Sequence, residues 1–379
     1  MQIAIRRTPG SGFDADRRVV RVAALGDLML SGEWELATRE HTESRCLGQL
    51  QESLANDDIV FGNLETTIDA TGAHIPKQPR VIATQETLRR CLATIGVNIV
   101  SLANNHAFDA YVTGFNAVSD LLASMQVLSF GAGQNAAEAS HPCIVERKGV
   151  RLGWLGYVAR DTQPSEVATG DQPGVNGLGE ERAIDEVRAL KNEVHHVVVS
   201  LHWGIEYCAL PSPEQIILAR RLIDEGASLI IGHHAHAVQG VEAYKRGVIA
   251  YNLGNATTTD FFIDGRLAIK QSRRTRSSFV LRAGVVEEGI QGVELVPFRT
   301  DRGVLRLHDD LAQRLLERAN RRLAAGRSGK RWRSTRFYED VVLRTAWKLD
   351  PRVARSLNGR HVARFFRNIV SATRGRGPA

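Results

Sequence analysis

Up to residue 301 the chain alternates short apolar runs with longer segments in which apolar residues recur at helical spacing. The runs at 19–25 (VVRVAAL), 58–62 (DIVFG), 97–102 (VNIVSL), 127–130, 196–201 (HVVVSL), 228–231 (SLII) and 248–253 (VIAYNL) are of strand length. Largely unbroken apolar runs of that length, bounded by turn residues, predict buried strands. Helices are predicted between them at 43–55, 84–95, 114–125, 181–191 and 213–225. The last of these has Pro213 at its start and Gly226 just past its end, the asymmetry expected of a helix. Lys148–Gly149 and Glu288–Gly289 read as tight turns between antiparallel strands. Strands alternating with helices, plus hairpins, predict an α/β layered domain. No internal repeat interrupts it.

Six of the seven predicted strands share a second pattern: each of these six is followed by polar residues. Gly26–Asp27–Leu28–Met29 follows the first, and Gly62–Asn63–Leu64–Glu65 the second. Asn104–Asn105–His106 follows the third, with Asp109 close behind. His202–Trp203–Gly204, then Gly232 and the run His233–His234–Ala235–His236, then Gly254–Asn255, follow later ones. Three imidazoles at the exit of a buried strand suit a core badly, because both ring nitrogens need partners. Imidazole is also the commonest metal ligand, and open α/β sheets gather ligands at the carboxyl ends of their strands. Asp, Glu, Asn and His together suit a divalent transition metal, Mn, Fe or Zn.

Length, charge and cysteine usage set the wider frame. At 379 residues the chain exceeds one ordinary domain. Its net charge of +7 is unevenly placed. Residues 302–379 hold 20 basic and 6 acidic side chains, a net of +14, which leaves −7 on residues 1–301. The step predicts a boundary, with an N-terminal segment at 1–18, a domain at 19–301 and a basic, mainly helical extension at 302–379. Cys46, Cys91, Cys143 and Cys208 form no CxxC pair, which argues against a disulfide framework and a thiolate metal site. Met1–Arg18 has no apolar stretch after its arginines, and no run is long enough to span a bilayer. The expectation is a cytoplasmic protein, at most peripheral to the membrane.

The ordered segments GDLML, FGNLE, SLANNHAFD, SLHWGIEY, GHHAHAVQGVE and NLGN resemble the CapA/PgsA family of poly-γ-glutamate capsule synthesis, over roughly residues 20–300. That family is similar to the calcineurin-like metallophosphoesterases. The resemblance implies a four-layer α/β/β/α sandwich and a centre of one or two divalent ions. Matched residue by residue, Asp27 binds one metal and Glu65 bridges two. Asn105, His202 and His234 hold the second metal, and His236 returns to the first. His106 falls where a general acid stands near the leaving group. The implied activity is hydrolysis of a phosphoester or of an anionic capsule polymer or precursor by a metal-bound hydroxide. The alternative is a non-catalytic assembly factor whose metal site binds a polyanion or is structural. Two departures from the phosphoesterase pattern bear on this. Met29 stands where a histidine ligand is usual, and Glu65 replaces a bridging Asp. Both weaken the first site, so a mononuclear centre and a binuclear one stay open.

Around this set, Asn104 and Asp109 either orient His106 or cap the next helix. His233 is expected to point away from His234 in extended backbone, in an outer supporting position. Trp203 either lines the pocket or sits in the core. His41, His74, His141, His195, His196, His308 and His361 read as surface or structural. In the extension, 310–325 and 360–370 have helical spacing. Arg360, Arg364 and Arg367 form a stripe opposite Val362, Phe365, Phe366 and Ile369. Such a helix suits a membrane surface, an acidic partner, or docking on the acidic body. No motif for specific nucleic-acid binding accompanies it.

Overall fold

The computed structural model describes residues 2–5, 18–263, 266–301 and 304–326. Its core is two sheets. The first begins with β1 (Gln2–Ile5), β2 (Val20–Leu28), β3 (Ile59–Asn63), β4 (Ile99–Ser101) and β5 (Leu128–Phe130). The chain then builds the second sheet from β6 (Cys143–Arg147), β7 (Val150–Val158), β8 (His196–His202), β9 (Ala227–His233), β10 (Val241–Tyr244) and β11 (Gly247–Ala250). It returns to the first sheet with β12 (Asn255–Thr257), β13 (Ser277–Val286), β14 (Gly289–Asp301) and β15 (Val304–Leu307). In the first sheet β2, β3, β4 and β5 run parallel, and β13 flanks β2 antiparallel. In the second, β7, β8, β9 and β11 are parallel between antiparallel edges β6 and β10.

Three apolar clusters hold these layers. One joins the first sheet to the helices α1 (Glu33–Arg39), α2 (Glu43–Leu54), α3 (Gln85–Ile95) and α4 (Tyr111–Ser124). A second lies between the sheets, where Phe61 packs against Trp154 with ring centroids 5.0 Å apart and planes tilted by 31°. The third joins the second sheet to α6 (Glu180–Lys191) and α7 (Pro213–Asp224); α5 (Ala136–Ser140) is a short connector. Parallel strands covered on both faces explain why the apolar runs are unbroken. β2 and β8 are buried along nearly their whole length.

Local signals set the element ends. Ser212 and Gln215 form a capping box around Pro213 at the start of α7. Lys148 (φ 52°) and Gly149 (φ 82°) make the left-handed turn of the β6–β7 hairpin. The expected strand 248–253 stops at Ala250. Beyond it, Tyr251 N–H donates to Gly240 O and Leu253 N–H to Gly232 O, so the backbone leaves the ladder.

The basic extension expected from residue 302 starts inside the body. β15 pairs with β14, and α8 (Asp310–Ala324) buries Ala312, Leu316 and Ala319. The charge step at 301 is therefore not a break in packing, because these residues add an edge strand, β15, and an amphipathic helix whose buried face packs on β10, β13 and β14. The segment 360–370 lies outside the described residues. Among the described residues no helix is long and apolar enough to cross a membrane.

Candidate metal centre

Strand register assembles the site. Asp27 near the end of β2 pairs with Asn63 at the end of β3 and with Asn255 at the start of β12. In the other sheet His202, the last residue of β8, pairs with His233, the last of β9. Glu65 follows β3, its N–H donating to Leu28 O at 3.2 Å. The parallel strands of both sheets thus deliver their carboxyl ends to one buried place.

Two sets of donors meet there. Glu65, His202 and His234 form one, and Asp27, Glu65 and His236 the other, each set with its atoms within 4.8 Å of one another. Glu65 belongs to both. Its Oε1 stands 3.6 Å from His202 Nε2, 3.8 Å from His106 Nε2 and 3.9 Å from His236 Nε2. His202 Nε2 faces His234 Nδ1 at 3.1 Å and Asn105 Oδ1 at 2.9 Å. His236 Nδ1 lies 3.1 Å from Asp27 Oδ2 and 2.8 Å from Asn255 Oδ1. The six ligand candidates read from the sequence, Asp27, Glu65, Asn105, His202, His234 and His236, are therefore mutual neighbours.

The electrostatics are unusual for a protein interior. Both Glu65 oxygens are buried without a hydrogen-bond partner. Burial, reinforced by the charge of Asp27, pushes the Glu65 carboxyl well above its usual range. Burial also acts to raise Asp27, but hydrogen bonds from His233 and His236 win and hold it well below. Burial lowers His234 to about 3, and burial with the neighbouring His234 lowers His202 as well. His236 moves the other way: burial opposes its charge, yet Glu65 and Asp27 raise it to about 10. A buried carboxylate with no donor, facing imidazoles kept neutral, is what a divalent cation would satisfy. The residues present fit such an ion.

The supporting residues resolve the alternatives left open by the sequence. Asp109 Oδ2 lies 2.6 Å from His106 Nδ1, and Asn104 Oδ1 accepts from His106 N–H at 3.0 Å. Neither caps α4, whose N-cap is Ala110. Both orient His106. Burial lowers the His106 pKa against the opposing charge of Asp109. His233 is fully buried, its Nδ1 3.2 Å from Asp27 Oδ1 and its ring against Phe61 at 5.8 Å. Trp203 is core, its Nε1–H donating to Tyr251 O at 3.2 Å. His196 is not a surface residue: it is buried, with Nε2 2.6 Å from Val286 O across the sheets. Met29 packs with Val81 and Phe261, and its sulfur lies 3.9 Å from Thr258 Oγ1.

Several neighbours were not singled out by the sequence. Asn63 Nδ2 donates to Asp27 Oδ1 at 2.9 Å, and its signal was its place in the same strand-end motif as Glu65. Asn255 was visible as a motif position without a role. Lys77 Nζ donates to Asn105 O at 2.6 Å and stands 3.8 Å from Asp109 Oδ1; nothing in its polar loop marks it. The backbone was equally hidden. His234 (φ 83°), His236 (φ 50°) and Tyr207 (φ 64°) are left-handed without being glycine. Each such residue costs roughly 1–3 kcal/mol, a burden that clusters at functional sites.

A mixed α/β fold that buries a histidine–carboxylate cluster where parallel strands end defines a candidate metalloprotein. The model of the bacterial capsule synthesis protein family PGA_cap matches residues 21–259, and the chain belongs to that family. It is similar to the capsule biosynthesis protein CapA of Bacillus anthracis, at 27% identity over 287 residues, which covers 74% of this chain and 67% of that protein. A probable polyglutamine synthesis accessory protein of Mycobacterium tuberculosis is 28% identical over 227 residues, 57% of this chain and 60% of its own. Among solved structures, a phosphatase from Mycoplasma pneumoniae matches with a TM-score of 0.47 at 13% identity, covering 78% of this chain and 96% of that one.

Proposed function

We propose that the protein is a metal-dependent hydrolase of phosphoesterase type that acts in the synthesis of a capsule, poly-γ-glutamate or another anionic surface polymer. The observation that carries the reading is His106. It belongs to neither donor set, yet it is buried at their edge, held by Asp109 at 2.6 Å, with Nε2 turned to Glu65 at 3.8 Å. A purely structural metal site has no use for such a group.

In this reading Asp27, Glu65, Asn105, His202, His234 and His236 hold one or two divalent ions. When bound, these supply Lewis acidity and lower the pKa of a coordinated water. The protein's own residues do the rest. Asp109 holds His106 Nδ1–H, which leaves Nε2 to give a proton to the departing oxygen. Burial lowers the pKa of His106 and so makes its imidazolium a stronger acid. Asn63 and His233 fix Asp27 from outside the centre. The protein in this reading is cytoplasmic, and the net positive charge of residues 302–379 favours an anionic surface.

The test is turnover of bis(p-nitrophenyl) phosphate with and without added Mn²⁺. Activity should depend on the metal and fall by about 10²–10⁴-fold in His106→Ala. Metal content should be unchanged in that variant. The second reading, a non-catalytic assembly factor, is favoured by Met29, whose sulfur leaves the first donor set with three residues. Retained metal with no turnover of this probe, and no effect of His106→Ala, would select it.

A further inference from the structure

Arg274, Arg318 and Arg322 line one open pocket together with Ala209, Val238 and Ala319. The pocket is formed where α8 docks. Asn320 Oδ1 accepts from Val241 N–H at 2.8 Å, and Gly240 permits the approach: a Cβ there would lie 2.8 Å from Leu323 Cδ2 and 3.1 Å from Ala319 O. Two of the arginines therefore ride on a helix fixed to the body by its buried face.

Three of the chain segments that line this pocket also reach the metal centre. Val238 is two residues past His236, a span of at most about 7 Å of chain. Ala209 is two residues past Tyr207, whose ring lies 6.0 Å from that of His236. Arg274 precedes Thr275, whose carbonyl accepts from Asn255 Nδ2 at 2.9 Å, and Asn255 in turn contacts His236.

Nearby arginines are matched with acids. Arg276 pairs with Glu33 and Asp260, and Arg299 with Asp309. Among the described residues no carboxylate pairs with Arg274 or Arg318. Arg318 and Arg322 are four apart on α8, a spacing at which like charges repel. Three arginines line one opening, and a guanidinium matches the paired oxygens of phosphate and carboxylate.

We propose that this pocket binds a second oxyanion, phosphate or carboxylate, carried by the molecule whose reacting group occupies the metal centre. The proposal rests on the hydrolase reading only for which molecule carries that group. The consequence is selection for substrates with two anionic groups.

The test is calorimetric titration of the full chain with inorganic phosphate and, separately, with glutarate. It is run in a His234→Ala background and on chelator-stripped wild-type protein, so that binding at the metal centre does not intrude. One or both probes should bind in these backgrounds. Arg274→Gln with Arg318→Gln should weaken binding about tenfold or more, since each charge-assisted hydrogen bond contributes at least that factor. Arg321→Gln is the control, because Arg321 sits on the same helix beside Glu317 at 3.9 Å and does not line the pocket. It should bind as the parent does. Phosphate binding alone assigns a phosphoryl group, glutarate alone a carboxylate, and both a site for either. No binding of either probe, an unaffected double variant, or an equal loss in Arg321→Gln would each overturn the proposal. Because no turnover is read, failure of the hydrolase reading leaves these outcomes unchanged.

Discussion

Glu65→Gln should stabilise the metal-free protein and destabilise the metal-loaded one. Glu65 is fully buried, and neither carboxylate oxygen has a donor. Its pKa is raised well above the usual range by burial and by Asp27. A carboxyl raised in the folded state contributes stability that is complete below its unfolded pKa and is lost as pH rises toward its folded value. The unfolded value is about 4.3, and each pH unit above it costs about 1.4 kcal/mol while the folded group keeps its proton. The metal-free wild-type chain is thus penalised more as pH rises from 5 to 7.5. Gln keeps the shape and does not titrate, so the variant escapes the penalty.

With a divalent ion present the balance inverts. The charged carboxylate is then the species that binds, and a site filled at a thousand times its dissociation constant stabilises the fold by about 4 kcal/mol. The variant loses a donor common to both sets and much of that gain. Equilibrium urea unfolding at pH 5 and 7.5, with chelator and with Mn²⁺, reads all four cases. A Glu65→Gln chain no more stable than wild type in chelator at pH 7.5, or a gap that fails to widen from pH 5 to 7.5, would refute the reasoning.

His234→Ala should lose more bound metal than Asp27→Ala by elemental analysis, because the set around His234 is joined by Asn105 while Met29 adds nothing to the set around Asp27. Equal loss would mean that the assignment of donors is wrong. Gly232→Ala should destabilise by about 3 kcal/mol or more, since large costs follow overpacking against atoms that cannot yield. Its Cβ would meet Tyr251 O at 1.9 Å, and a wild-type urea midpoint would contradict this. In metal-free protein, burial holds His234 down to about 3, so its contribution is full above pH 6.5 and lost as pH falls toward 3. His234→Leu should therefore flatten the acid limb of stability, by about 1.4 kcal/mol per pH unit over pH 6 to 4, and an unchanged slope would refute it.

Most of the scaffold was legible because its strands are covered on both faces, which leaves their apolar runs unbroken. Element ends were less so: α4 begins at Tyr111 rather than at residue 114, and α1, seven residues around the buried Trp34, is too short to show a period. The ligand candidates were legible because each stands just past a strand. Their pairing was not, since the neighbours Asp27–Asn63 and His202–His233 come from register between distant segments. Lys77 reaches the site from a loop with no periodicity, and its role comes from burial alone. The charge step at 301 is not matched by a break in packing, since β15 and α8 lie beyond it. Arginine on the exposed face of α8 says nothing of its other face, where Leu316 is fully buried.

The centre gathers features that each lower stability: an unpartnered carboxylate, imidazoles held neutral, and left-handed backbone at His234 and His236. They persist because what surrounds them is over-determined. Gly26 and Gly232 let β2 and β9 pass within contact of the 251–254 segment, where a Cβ would meet Gly254 O at 1.8 Å and Tyr251 O at 1.9 Å. Asp27 N–H donates to Gly254 O and Leu253 N–H to Gly232 O across those same contacts. One short segment thus ties both sheets together next to the site and ends in Asn255, which holds His236. The strain at the histidines and the close approach at the glycines are two sides of one arrangement. The chain leaving β9 turns through left-handed backbone at His234 and His236, and that turn places both side chains in donor sets that share Glu65.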